Sequence, residues 1–336
     1  MKVNSGNGTA ISNENAFAAY ALAFDLSNAY TGTGSAALSF AVTVNPSSQQ
    51  AVTLTGDIDL TGTGILGIGK DSLEKNEDAQ KFQGTFEGNN HTITLDIGTT
   101  YGESVSNTGD NAAGQLYAKR SEERDAHYSL ALIPFGGAVT IQDLTIAGTV
   151  NSKIPGNSVN EVDNSDDIRY PAFVSAAVGL AYEDTVFENV TVNTKVSVAE
   201  ETGAKKLHVW QAGFLGRCES KALSFQNCIW GSKSTLTDER TTDNQRIGGL
   251  AAEVMGGCVV SVDACTLSGS IISKSASNAK VGGLIAVSRG ETQNGTTSAD
   301  TTIKISNLQV NKKKLILMVQ ITPVADFLAI NGRIQM

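Results

Sequence analysis

Thr185–Asn193, TVFENVTVN, sets the pattern that the rest of the chain repeats. It returns as Val139–Ala147 (VTIQDLTIA), Leu223–Gly231 (LSFQNCIWG), Val260–Ser268 (VSVDACTLS) and Ile303–Asn311 (IKISNLQVN). Aligned on their centres, these segments give one apolar column of Ile141, Phe187, Phe225, Val262 and Ile305. A second holds Leu144, Val190, Cys228, Cys265 and Leu308, and a third Ile146, Val192, Trp230, Leu267 and Val310. Between the first two runs a polar column, Asp143, Asn189, Asn227 and Asn307, interrupted by Ala264. The centres lie 46, 38, 37 and 43 residues apart, a repeat of solenoid length.

Apolar residues alternate with polar ones on each side of the Asn, the period of a strand with one buried face. At the Asn the alternation slips by one, so the chain has to turn without leaving the core. Asn tolerates the left-handed backbone that such a turn needs. Strand, Asn bend and strand in constant register predict one coil of an all-β parallel solenoid. A stacked Asn column would pair amide with amide and satisfy polar groups that are otherwise buried. Ala212–Gly216 (AGFLG), Ile247–Ala251 (IGGLA) and Val281–Ile285 (VGGLI) recur ahead of the bends, with looser versions at Phe173–Gly179 and Ala131–Gly137. Glycine beside Leu predicts a tight coil corner.

A single coil cannot fold alone, because its few inward side chains do not offset the entropy of ordering it. Stacking on neighbours supplies the difference. The composition fits: 40% hydrophobic residues, 18% charged and 34 glycines suit a turn-rich β chain. A net charge of −9 argues against nucleic acid or an anionic membrane as partner. No stretch reaches the roughly 20 apolar residues of a membrane span. Met1-Lys2-Val3 leads straight into Asn, Ser and Gly, so the start reads as an internal or trimmed boundary within a longer exported parent chain, monomeric there.

Residues 1–36 read as an N-terminal cap with a helix over 12–26, N-capped by Ser12 and carrying Phe17, Tyr20, Ala21 and Phe24 on one face. Residues 37–311 read as the solenoid, including strands at Ala37–Val44 and Val52–Leu60. Residues 312–336 depart from the pattern, with Lys312, Lys313 and Lys314 followed by Leu315–Ile330 and no Asn bend. In a neighbouring frame, synonymous codons for Met318–Gly332 permit a further Gly-Gly-Phe-Leu-Gly coil, so this tail reads as a frame-shifted end of a longer solenoid. Polar insertions at Gly98–His127, Asn151–Arg169, Thr194–Leu207, Ser232–Arg246 and Ser288–Thr302 read as outward loops.

The stretch Phe82–Ile97 (FQGTFEGNNHTITLDI), preceded by DIDL and followed by the Gly-Gly-Leu repeats, resembles the GLUG-type repeat proteins of bacterial cell surfaces. Where that family has Trp-x-Pro-Ile-Gly, this chain has Gly64-Ile65-Leu66-Gly67-Ile68-Gly69. The resemblance runs from about Ile11 to Val310. It implies a right-handed parallel β-helix in a secreted or surface-anchored protein, often with an adhesive role.

Candidate chemistry is sparse. Asp57 and Asp59 project from one strand face and could act as paired carboxylates or hold Ca²⁺, but a solvated strand face explains them more simply. Glu87, Asn89, Asn90 and His91 sit together in a turn, where His91 reads as an orienting hydrogen-bonding group. Asp163, Asn164, Asp166 and Asp167 form an acidic loop without the Gly and Glu of an EF-hand. His127 and His208 have no partner at metal spacing, and no cofactor fingerprint is present. Cys228 and Cys265 would stack on adjacent coils, which leaves either free thiols or a disulfide open. The outward positions beside the Asn bends hold two carboxylates and no stacked base, poor material for the lyases and hydrolases that share this fold. The expectation is a non-catalytic surface β-solenoid presenting loops to a glycan or host ligand, with a carbohydrate-active enzyme as the alternative.

Overall fold

The computed structural model describes residues 8–26, 50–65, 67–69, 81–100, 128–154, 172–200, 209–241, 245–274, 279–289, 292–293, 296–297, 301–311 and 320–321. Among them one helix, Glu14–Leu26, accompanies strands that run almost entirely parallel in three curled sheets of 13, 9 and 5 strands. Among the described residues the first coils enter only the 13- and 9-stranded sheets; from Tyr128 onward the coils begin in the 5-stranded sheet and then visit the other two in the same order. The coil over 209–238 lays Val209–Ala212 in the 5-stranded sheet, then Leu215–Cys218 and Ala222–Gln226 in the 13-stranded sheet. Ile229–Trp230 and Thr235–Asp238 follow in the 9-stranded sheet. This is an all-β parallel solenoid.

Register follows the apolar columns. Phe187 is the Cα partner of Ile141 on one side and Phe225 on the other, and Val262 is partnered by Phe225 and Ile305. Likewise Val192 lies between Ile146 and Trp230, and Leu267 between Trp230 and Val310. Inside the tube the Phe187 and Phe225 rings stack at 5.1 Å and 8°, and Phe214 meets both edge-on. Wholly buried Trp230 crosses the interior against Gly213, Gly249 and Gly269. A Cβ on Gly249 would fall 2.0 Å from the Gly283 carbonyl and 2.9 Å from the Trp230 ring, so this corner admits only glycine.

Every bend residue is left-handed: Asp143, Asn189, Asn227, Ala264 and Asn307 have φ between 49° and 53°. Their backbone N–H groups donate to the next coil, Asp143 to Glu188 O, Asn189 to Gln226 O, Asn227 to Asp263 O and Ala264 to Ser306 O. Asn189 Nδ2 donates to Asp143 Oδ1 at 2.8 Å and Asn227 Nδ2 to Asn189 Oδ1 at 3.2 Å. The ladder is exposed at Asn189, Asn227 and Asn307, which corrects the expectation that it satisfies buried groups: the bend carries its side chain outward. Ala264 holds the same backbone without the side chain that favours it, and Asn307 Nδ2 turns to Asp263 Oδ1 instead. Ala264→Asn is therefore expected to raise stability by about 1 kcal/mol, read as a higher urea midpoint.

The helix begins at Glu14, and Asn13, not Ser12, caps it: Asn13 Oδ1 accepts the Ala16 N–H at 2.9 Å, the three-residue reach of an N-cap. Phe17, Tyr20 and Ala21 are buried in the main core, while the Phe24 side chain lies outside the described residues. Burial pushes the Tyr20 phenol far up, and its O–H donates to Gln50 Oε1. Thr9–Ile11, ahead of the helix, is already a strand of the largest sheet, pairing parallel with Gln50–Leu54. Ala37–Val44 and most of 312–336 lie outside the described residues; Gln320–Ile321 pairs parallel with Ile285–Arg289.

Three expectations shift. The segments read as insertions from Asn151, Thr194 and Ser232 begin as strand, because Val196, Val198 and Leu236 still alternate inward. Ser288–Thr302 contains a small antiparallel pair, Thr292–Gln293 with Thr296–Thr297, around Asn294-Gly295. Ile247–Ala251 and Val281–Ile285 align position for position, whereas Ala212–Gly216 is offset from them by one residue. Ala212 partners Gly248, so Phe214 stands over Leu250, with Phe214 N–H donating to Leu250 O and Leu250 N–H to Leu284 O.

Candidate functional site

Beside the Asn bends the outer face is a set of straight polar files. One runs Glu87, Gln142, Glu188, Gln226, Asp263, Ser306, and the other Thr92, Thr145, Thr191, Ile229, Thr266, Gln309. Neighbours bond along the file: Gln142 Nε2 donates to Glu87 Oε2 at 2.5 Å, and the Ser306 hydroxyl to Asp263 Oδ1 at 2.6 Å. Strand spacing alone makes this a regular lattice of hydroxyl, amide and carboxylate groups.

The carboxylates of the N-terminal coils act as turn braces. Asp57 Oδ1 accepts the Thr92 N–H at 2.9 Å and faces His91 Nδ1 at 3.3 Å; Asp59 Oδ1 accepts the Thr61 N–H at 3.0 Å. Asp96 Oδ2 accepts the Gly62 N–H, and Glu87 Oε1 the Asn89 N–H. Asn89 and Asn90 both sit at positive φ, and Asn89 Nδ2 donates to Leu54 O. The Thr92 N–H, then His91, holds Asp57 below its ordinary value; Thr61 does so for Asp59, and Ser306 and Asn307 for Asp263. Lowered folded values mean that this stability is present above the ordinary Asp range, near 3.9, and is lost as pH falls through the lowered ones. The thermal midpoint is therefore expected to drop below about pH 4, and to drop less steeply in an Asp57→Asn, Asp59→Asn, Asp263→Asn variant.

A denser constellation lies where the 5-stranded sheet meets the 13-stranded one. Val209 faces the main core, and Trp210, on the opposite face of the strand, joins Phe135, Phe173, Leu180, Ala212 and Ala252 in a second, smaller core. Two files converge there, Ser129, Phe173, Trp210, Arg246, Lys280 and Phe135, Leu180, Arg217, Glu253, Val287. The Arg246 and Arg217 guanidinium carbons stand 4.6 and 5.5 Å from the Trp210 ring centre. Arg246 Nη1 pairs with Glu253 Oε2, Arg217 Nε lies 3.5 Å from Glu253 Oε1, and Arg217 Nη2 is 3.1 Å from Glu219 Oε1. Glu253 is wholly buried, and the Arg246 and Arg217 side chains are 8% and 12% exposed. The charges cancel within the cluster, which ties adjacent coils together around an indole.

The glycine segments quoted from the sequence overlap the third sheet, but neither that sheet nor the Trp210 cluster is legible there. The available signal was the residue two places before Gly248 and Gly282 in register, occupied by Trp210, Arg246 and Lys280. Asp163, Asn164, Asp166, Asp167, His127 and His208 lie outside the described residues. Among the described residues no group of three His, Cys, Asp or Glu side chains could hold a metal ion, and no helix is long and apolar enough to cross a membrane. Cys228 and Cys265 stack inward as free thiols.

The connections share one place. Residues 101–127, 155–171, 201–208, 239–244 and 274–279 each leave the 9-stranded sheet and rejoin the chain at the 5-stranded sheet. The first three hold 27, 17 and 8 residues and the last two six each, and all leave from the same corner of successive coils.

The chain matches no protein-family model, no curated protein and no solved structure.

Proposed function

We propose that this chain is a right-handed parallel β-helix from a secreted or cell-surface bacterial protein of the GLUG-repeat kind. Its role is to present loops to a glycan or host-surface ligand without catalysing a reaction on it. The right hand follows from the strong preference of parallel strand crossovers for that sense. The observation that carries the role is the shared corner: five successive connections, from 27 residues down to six, issue from one edge of a regular stack. In repeat proteins, insertions of this kind gather on the binding face. The resemblance of Phe82–Ile97 to surface repeats points the same way.

A carbohydrate-active enzyme of the same fold is favoured by one feature, the convergence of Arg217, Arg246 and Glu253 on adjacent coils. Glu253, however, is wholly buried and its charge is met by both arginines, an arrangement suited to holding coils rather than to exchanging protons with a substrate. A printed glycan array, probed with the full chain, tests the two readings. Binding is expected that is lost when residues 101–127 and 155–171 are replaced by short Gly-Ser linkers, and kept in Glu253→Gln. Cleavage of a bound glycan that Glu253→Gln abolishes would instead establish the enzyme, and an array with no bound glycan would remove glycans as the ligand class.

A further inference from the structure

The four cysteines form two pairs across the same two coils, and the pairs differ. Cys228 and Cys265 sit directly after the bends. Each thiol is engaged by carbonyls of the strands around it, Cys228 Sγ with Phe187 O and Gln226 O, Cys265 Sγ with Phe225 O and Asp263 O, at 3.3–3.5 Å. These two thiols also face each other, and the carbonyls hold each one within the register of the stacked columns. At the other pair the Cys218 and Cys258 sulfurs lie 3.9 Å apart, with the Ser220 hydroxyl 3.1 Å from Cys218 Sγ. Cys218 closes the strand Leu215–Cys218 and Cys258 stands just ahead of Val259–Asp263, so both flank the corner turns. The later turn contains Gly257 at φ 81° and one more residue than the turn below it. A corner of this kind can close the distance to a sulfur–sulfur bond of about 2.05 Å by side-chain rotation and a small backbone shift.

We infer that Cys218 and Cys258 are the site of an inter-coil disulfide that forms when the chain folds under oxidising conditions, while Cys228 and Cys265 remain thiols. The inference is independent of what the loops bind. The oxidant is a small-molecule disulfide such as oxidised glutathione. The Cys218 thiolate attacks one sulfur of the oxidant and releases one glutathione thiolate. Cys258, giving up its proton, then attacks the Cys218 sulfur of the mixed disulfide and releases the second. Two protein S–H groups are oxidised, one small disulfide is reduced to two thiols, and the two protons pass to them. Both sulfurs are wholly buried in the folded chain, so exchange takes place before the corner closes.

The test refolds the full chain from urea in a buffer of oxidised and reduced glutathione. Thiols are then counted in denaturant, and peptides are mapped without reduction. Two of the four thiols are expected to titrate, with a single linkage between the Cys218 and Cys258 peptides. A Cys228→Ser, Cys265→Ser variant should show no free thiol after the same treatment. Four free thiols in the refolded wild type, or a linkage that includes Cys228 or Cys265, would overturn the assignment.

Discussion

Asp238→Ala is expected to cost about 3–5 kcal/mol in urea unfolding, because it breaks a buried ion pair by removing the carboxylate that Arg240 meets at both Nε and Nη2. Both residues are wholly buried where the 9-stranded sheet ends. Arg240 Nε donates to Asp238 Oδ1 at 2.9 Å and Nη2 to Oδ2 at 2.6 Å, and the Arg240 backbone N–H adds a third bond to Oδ1. Around them Gln245 Nε2 donates to Arg240 O, the Ser273 hydroxyl to Gln245 Oε1, and Gln211 Nε2 to Val196 O. These side chains satisfy strand ends at a corner where the chain leaves one sheet for another. The pair itself gains little over apolar groups of the same shape, since desolvation offsets most of the attraction. An Asp238→Leu, Arg240→Met double variant is therefore expected to recover most of the loss. A single variant as stable as the parent would show that solvent reaches Arg240.

Phe187→Asp is expected to be more damaging, beyond the 4–5 kcal/mol that marks exceptional substitutions. Phe187 is wholly buried at the middle of its column, stacked on Phe225 and edge-on to Phe214. A carboxylate there would sit among the apolar side chains of the main core, and its hydration is lost on folding. In a solenoid each coil is held only by its neighbours, so the lesion separates the coils before it from those after it. Loss of the cooperative thermal transition, with the β signal in far-ultraviolet circular dichroism reduced, is the expected outcome. An unchanged midpoint would remove Phe187 from the column.

The parts of the fold that were legible in the sequence share one physical property, burial on a single face. Ile141, Phe187, Phe225, Val262 and Ile305 alternate with outward Glu, Gln, Asp and Ser, and the positive φ of the bend selects Asn. The third sheet escaped because its strands are buried on both faces: AFVS, VWQA and QRIG show no alternation, and Gln211, Gln245 and Arg246 are buried. The far halves of the 9-stranded sheet were read as loops because Thr, Lys, Asn and Ser fill their outward positions, while Val150, Val196, Val198 and Leu236 inside are few and short. Asp238 and Arg240 looked like part of a charged insertion, since nothing local announces that two opposite charges two residues apart will fold inward onto each other. Asp57 and Asp59 read in the sequence as one pair and His91 as part of a separate turn; the fold brings His91 to Asp57, and both carboxylates accept backbone N–H groups.

The stacking itself is best tested by distances along one outward file. Nitroxide labels at Ser306 and, in turn, at Gln142, Glu87 and Thr53 probe positions that register places four, five and six coil steps apart. With strands about 4.8 Å apart, pulsed electron resonance should give separations near 19, 24 and 29 Å, rising by one strand spacing per step. Distances that do not grow in equal increments would contradict the in-register parallel stack.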